Sequence, residues 1–212
     1  MKQTLVVGAA PLPGRDAFYR ELLFAADHVV AADAAGEWCV ALGRVPDAVV
    51  GDFDGSRAGA ACRLEAQGAT VEVHPMEKDS TDLDLAIAYA RRTWTAPVAI
   101  TAAFTSRFDH TLAALGALVR AGDEASVREP GWSAWLSRES RGVRLELAAG
   151  VVVSVVALVP EVRVTIDGAA WPLHDAVLPL LSGLGVSNRS VGGPLTVTAT
   201  NGIVAIIVQD GE

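Results

Sequence analysis

The sequence predicts an α/β fold: a Rossmann-like parallel sheet with helices on both faces, followed by a small all-β sandwich or barrel. Three observations carry this. The first 120 residues alternate short apolar runs with segments of helical period, the pattern of strands and crossover helices. From Gly142 onward helical periodicity largely gives way to alternation of apolar and polar residues, the pattern of half-buried strands. Acidic clusters follow the apolar runs of the first half, at the carboxyl strand ends where ligands collect in parallel sheets.

The elements follow in order. Strands are expected at Thr4–Val7, His28–Ala32, Ala48–Val50, Thr70–Val73 and Val98–Thr101. Helices are expected between and after them at Asp16–Ala26, Ala34–Leu42, Arg57–Gln67, Thr81–Arg92 and His110–Arg120. Ala121 to Arg141 holds Gly122, Pro130 and Gly131 among charged residues and reads as a connector with room for short strands. Trp132 and Trp135 within it suit an interface or a lid. Val143–Leu147, Val162–Ile166 and Leu195–Thr200 alternate, and the run beginning at Val151 is strand-like in length and β-branching. Asn201-Gly202 separates two strand runs and predicts a two-residue hairpin. The switch from α/β to all-β predicts two domains, residues 1–130 and 131–212.

Composition narrows the partners. The 212 residues are 51% hydrophobic and 20% charged, which suits a folded chain with a sizeable core. A net charge of -8, with no basic stripe, argues against nucleic acid. An acidic protein can still bind polyphosphate if metal ions bridge the like charges. Cys39 and Cys62 fit no zinc spacing and make no disulfide framework, so they read as small buried thiols. No stretch reaches the length of a membrane span, and the N-terminal apolar run is too short for a signal segment. A cytoplasmic protein without a membrane partner is expected.

Four acidic clusters carry the chemistry. Asp33 follows the second strand, and Gly51-Asp52-Phe53-Asp54-Gly55 the third. In an extended segment Asp52 and Asp54 would face the same way and meet one hard cation. Mg²⁺ favours one or two carboxylates plus substrate phosphates. The same five residues also read as an ordinary turn. Lys78 to Asp84 opens a helix that Ser80 or Asp79 can cap, and capping accounts for one or two of its acids. Arg107 offers a guanidinium fork for phosphate, and Asp109 reads as either an N-cap or a site acid. His110 is a first-turn residue with a catalytic alternative. Capping and turns explain each cluster separately. They do not explain four on one sheet edge, where carboxylates repel unless cations sit among them.

These residues carry a resemblance. Pro46 to Asp54, Lys78 to Asp84 and Arg107 to Leu112, followed by Gly168-Ala-Ala-Trp171 and Gly185-Val-Ser-Asn188, resemble the thiamine pyrophosphokinase family in order and across both halves. The resemblance implies an α/β nucleotide-binding domain and a β-sandwich thiamine-binding domain. It implies a homodimer with sites at the subunit interface, converting thiamine and ATP to thiamine diphosphate and AMP with Mg²⁺. Asp52, Asp54 and Asp82 would hold metal and phosphates, and with Asp109 form the catalytic set. Asp33, Thr81, Asp82, Arg107 and Asp109 would line the nucleotide site. Trp171, Ser187 and Asn188 would lie against thiamine, the indole stacking on the cationic ring. The sequence departs from the family pattern at Ala34, Gly55, Thr105 and Ser106, where the family usually has Gly, Ser, Gly and Gly. A pterin pyrophosphokinase and a non-catalytic thiamine or nucleotide binder are the competing expectations.

Overall fold

All five apolar runs of the first half are strands in the computed structural model, which describes residues 3–54, 56–104, 107–139 and 141–210. They are β1 (Thr4–Val7), β2 (His28–Ala32), β3 (Ala48–Gly51), β4 (Thr70–Val73) and β5 (Val98–Thr101), joined by β6 (Ser126–Glu129). The order β6-β5-β1-β2-β3-β4 is parallel throughout. Helices α1 (Asp16–Ala25), α2 (Ala35–Ala41), α3 (Ala60–Ala66), α4 (Asp82–Thr93) and α5 (Phe108–Ala121) make the crossovers. β1, β3 and β5 are buried along their whole length, which is why they read as continuous apolar runs. β4 is an edge strand and leaves Val73 exposed. Leu5, Val7, Tyr19, Leu23, Val29, Val49 and Leu64 pack one face of the sheet.

The chain divides into two units, Met1–Pro130 and Gly131–Glu212. The second holds two antiparallel sheets. One contains, in spatial order, β12 (Asn188–Arg189), β9 (Val152–Ala157), β14 (Ile203–Gln209) and β7 (Trp132–Arg138). The other contains β11 (Leu173–Pro179), β10 (Glu161–Asp167), β13 (Gly193–Ala199) and β8 (Val143–Leu147). Val153, Val155, Val204 and Ile206 of the first sheet share a core with Val164, Ile166, Leu178, Leu195 and Val197 of the second. This is a β-sandwich, and inward residues alternate with outward ones as the sequence pattern requires.

Four local expectations are corrected. Residues 121–141 are largely strand, because β6 and the seven-residue β7 occupy most of them, and Trp132 and Trp135 lie in β7. Asn201-Gly202 does not close a hairpin: β13 pairs with β10 and β8, whereas β14 pairs with β7 and β9. The connection passes from one sheet to the other. Asn201 is tied sideways instead, its Oδ1 accepting from Arg163 N at 2.6 Å. A Cβ at residue 202 would meet Val159 Cγ2 at 2.6 Å, so glycine is required there by packing. The N-cap of α4 is Thr81 rather than Asp79 or Ser80, in a capping box with Asp84. Helix α5 begins at Phe108, so Asp109 lies inside the first turn and is not its N-cap.

Candidate active site

Parallel strands put their carboxyl ends on one edge. Along the chain, β1 to β4 step outward in one direction, and β5 and β6 then lie on the other side of β1. The reversal makes the carboxyl ends of β1 and β5 the switch point, outside which open parallel sheets bind their ligands. Among the described residues, three non-glycine residues at this edge have left-handed backbone: Asp33 (φ 46°), Phe53 (φ 60°) and Ala102 (φ 53°). Each such residue costs about 1–2 kcal/mol, and strain of this kind gathers at functional sites.

The conformation of Phe53 corrects the extended reading of Asp52 and Asp54. The segment is a turn, in which Asp54 N donates to Asp52 Oδ1 at 3.2 Å. The turn still gathers acids. Carboxylate oxygens of Asp33, Asp52 and Asp54 all lie within 4.8 Å of one another. Asp33 is only 9% exposed, and Ser56 Oγ donates to its Oδ1 at 3.2 Å. Burial pushes the Asp33 carboxyl above its usual range, the Ala34 backbone and Ser56 pull it back, and the charges of Asp82 and Asp52 raise it further. Asp52 is held below its usual range, chiefly by the hydrogen bond from the Lys78 ammonium.

Asp82 stands apart from that trio. Its Oδ1 is 3.1 Å from Lys78 Nζ, a charge contact outside hydrogen-bond alignment. Lys78 therefore spans Asp52 and Asp82. Burial depresses its ammonium, the two carboxylates more than offset this, and the net shift is upward. Arg107 reaches Asp109 with both arms of its fork, at 3.2 and 2.6 Å, and this exposed pair holds the Asp109 carboxyl down to about 2.

A cleft of about 460 Å³ runs along this edge. Asp33, Asp52, Lys78, Thr81, Asp82, Arg107 and His110 line it, together with Gly8, Ala9, Ala10 and Ala103. Asp54 and Asp109 lie at its margin, outside that lining. Sequence reasoning passed over Lys78 as a site residue, although it opens the quoted motif four residues before Asp82. It also missed Ser56, for which the sequence carries no signal. Of the departures from the family pattern, Ala34 sits in ordinary helical backbone before α2. Gly55, Thr105 and Ser106 lie outside the described residues.

In the second unit, Trp171 and Asn188 meet. Asn188 is 6% exposed; its Oδ1 accepts from Trp171 N at 3.1 Å and its Nδ2 donates to Trp171 O at 2.7 Å. This clasp mimics a strand pairing and leaves the indole 61% exposed. Ser187 has φ 61°, and its N–H donates to Ser154 Oγ at 3.1 Å. The turn signal read at Ser187-Asn188 is thus a left-handed residue that aims Asn188 inward.

Comparisons with known proteins converge. A family model described as "Thiamin pyrophosphokinase, catalytic domain" matches residues 19–128, and one described as "Thiamin pyrophosphokinase, vitamin B1 binding domain" matches residues 142–204. Among solved structures, thiamine pyrophosphokinase from Bacillus subtilis superposes with a TM-score of 0.83 at 22% identity, covering 100% of both chains. Thiamin pyrophosphokinase from Candida albicans gives 0.79 at 13% identity, over 99% of this chain and 89% of its own. The yeast enzyme gives 0.79 at 14% identity, over 98% and 86%. A search of curated protein sequences gave no match. These findings favour neither a pterin pyrophosphokinase nor a non-catalytic binder.

Proposed function

The chain belongs to the thiamin pyrophosphokinase family and is a diphosphotransferase, and from that premise we propose that it moves a diphosphoryl group from ATP to the hydroxyl of thiamine with Mg²⁺, releasing AMP. The observation that carries the reading is the Asp33–Asp52–Asp54 trio, gathered within 4.8 Å at the carboxyl edge of a parallel sheet.

The residues fit a magnesium ion. All three offer hard oxygen donors, and the charges of Asp52 and Asp82 raise the Asp33 carboxyl, a repulsion that a cation would relieve. Asp33, Asp52 and Asp54 would hold the ion, which supplies charge neutralisation at the phosphate oxygens. This set differs from the one the resemblance implies: Asp33 gathers with Asp52 and Asp54, Asp82 lies outside the trio, and Lys78 contacts both Asp52 and Asp82.

The chain's own groups supply the rest. Lys78 and Arg107 bring positive charge to a cleft that also holds Asp33, Asp52 and Asp82, where a polyphosphate needs it. Asp109 orients the Arg107 fork, and Thr81 fixes the start of α4 beside the cleft. The thiamine hydroxyl oxygen attacks the β-phosphorus in line while the bond to the AMP oxygen breaks. The hydroxyl proton passes to a carboxylate, Asp82 or Asp54. Trp171 offers an exposed aromatic face to the cationic ring, positioned by Asn188, with Ser187 beside it. We also propose a homodimer with its sites at the subunit interface, as the resemblance implies. A cytoplasmic location belongs to the same reading, with Cys39 and Cys62 both free thiols; Cys39 is buried as expected and Cys62 is exposed. No helix among the described residues is long and apolar enough to cross a membrane.

The test is incubation with thiamine, ATP and Mg²⁺, with quantification of AMP and thiamine diphosphate. Equimolar formation of both products, lost in Asp54→Asn, is the expected result. Thiamine binding without AMP release overturns the proposal.

A further inference from the structure

Beneath the cleft lies a buried acid that the proposed chemistry does not use. Glu129, the last residue of β6, is 1% exposed. Its Oε1 accepts from Ala103 N at 2.9 Å, and its Oε2 accepts from the Tyr19 hydroxyl at 3.1 Å. The Tyr19 oxygen in turn accepts from Leu12 N at 2.9 Å. One carboxylate thus ties down two loops, the one after β5 directly and the one after β1 through the phenol.

These loops lie side by side at the switch point of the sheet. They also touch each other, through Gly8 N to Thr101 O at 2.9 Å and Ala10 N to Ala102 O at 2.8 Å. Their approach is so close that a Cβ at residue 8 would lie 2.6 Å from Ala102 O. Ala102 holds a left-handed backbone at the centre of the contact. Gly8, Ala9, Ala10 and Ala103 of these loops line the same cleft as Asp33, Asp52 and Asp82, and bring only main chain and methyl groups to it. The N–H groups of Gly8, Ala10 and Ala103 are engaged within the fold, so these loops offer a polyphosphate close main-chain approach and shape, which serve only if their conformation is fixed beforehand.

We propose that Glu129 is a positioning residue for the nucleotide: through Ala103 and the Tyr19–Leu12 relay it fixes both loops in the conformation that receives the polyphosphate. This rests on the reading of the cleft as the ATP site.

Core stability alone does not account for the arrangement. A buried carboxylate is an expensive way to fill a core, and an apolar side chain of similar volume would serve packing as well or better. Both carboxylate oxygens of Glu129 are engaged, one by a cleft loop and the other by the tyrosine that holds its neighbour. Burial pushes the carboxyl up to about 7, while donors on Ala103, Tyr19, Phe104 and Ala102 pull it back. The phenol of Tyr19 is pushed up to about 12, so it remains a donor to Glu129 at neutral pH.

The test compares Glu129→Gln, Glu129→Leu and Tyr19→Phe with the unmodified protein. Mg-ATP affinity is read by calorimetry, KM is read separately for ATP and thiamine, and folding is read by thermal melting. Glu129→Leu is expected to weaken ATP binding and raise the ATP KM roughly tenfold, as misplaced binding loops do, with the thiamine KM unchanged. Tyr19→Phe removes the Leu12 arm and the donor to Glu129 Oε2 but leaves the Ala103 bond, and is expected to shift the ATP values less. Glu129→Gln keeps an acceptor for Ala103 and is expected to lie between them. Should Glu129→Leu fail to fold, the other two variants decide. Folded variants whose ATP affinity matches the unmodified protein, or whose losses fall equally on ATP and thiamine, overturn the inference. An unmodified protein that binds no ATP overturns the nucleotide reading itself and this inference with it.

Discussion

Asn188→Ala removes the clasp beneath Trp171, and its cost can be worked from the geometry. Asn188 Oδ1 accepts from Trp171 N at 3.1 Å and from Arg189 N at 2.8 Å, and Nδ2 donates to Trp171 O at 2.7 Å. Each such bond contributes about 0.5–1.5 kcal/mol net, and alanine replaces none of them. Asn188 is only 6% exposed, but the backbone groups it serves are partly exposed and recover some hydration. The expected loss is therefore about 2–3 kcal/mol, below the sum for three fully buried groups. For a chain of this size that lowers Tm by roughly 4–12 °C. Trp171→Leu is the contrast. An indole 61% exposed contributes little to packing, so this variant should melt close to the unmodified protein while the thiamine KM rises. Asn188→Asp keeps both acceptors but turns a carboxylate oxygen toward the Trp171 carbonyl, so it should not restore stability. Melting curves and the thiamine KM of the three variants check the argument together. An Asn188→Ala protein that melts with the unmodified one and keeps its thiamine KM would refute it.

Two further outcomes are expected. Thr81→Ala should lose about 1 kcal/mol of stability, because Thr81 Oγ1 accepts from Asp84 N at 3.2 Å and caps α4; Thr81→Ser should regain most of it in denaturant titrations. Glu129 should set a pH dependence. Its carboxyl rises from 4.5 to about 7 on folding, mainly through burial, so the neutral form is the stabilised one. That contribution is complete below pH 4.5 and is lost as pH rises through about 7, by up to about 3 kcal/mol. Stability of the unmodified protein should accordingly fall relative to Glu129→Gln between pH 5 and pH 8, with Tyr19 still protonated throughout. Parallel stability curves for the two proteins across that range would contradict the assignment.

The sequence by itself determined the elements and the fold class. Near-continuous apolar runs such as Leu5 to Val7 and Ala48 to Val50 are legible because both faces of those strands are buried, which leaves no polar alternation to confuse them. Alternation in Val162 to Ile166 is legible for the opposite reason, since one face meets the core and the other meets water. The acids were visible too, because carboxylates at strand ends stand out against an apolar sheet.

Tertiary structure alone decided which distant groups meet. Asn201-Gly202 has the local chemistry of a hairpin, yet the strands on either side find partners in different sheets, and packing against Val159 and Val162 overrides the turn preference. Asp33 joins Asp52 and Asp54 because β2 and β3 are neighbours, and Lys78 links Asp52 of that trio to Asp82, four residues after it. Glu129 carried no signal at all: a lone glutamate in a charged stretch looks like surface. Its burial, and its hold on Ala103 and Tyr19, follow from β6 pairing beside β5, more than a hundred residues along the chain from α1. Sequence period records the burial of each element's faces, but the partners of a side chain depend on strand order, which no local pattern encodes.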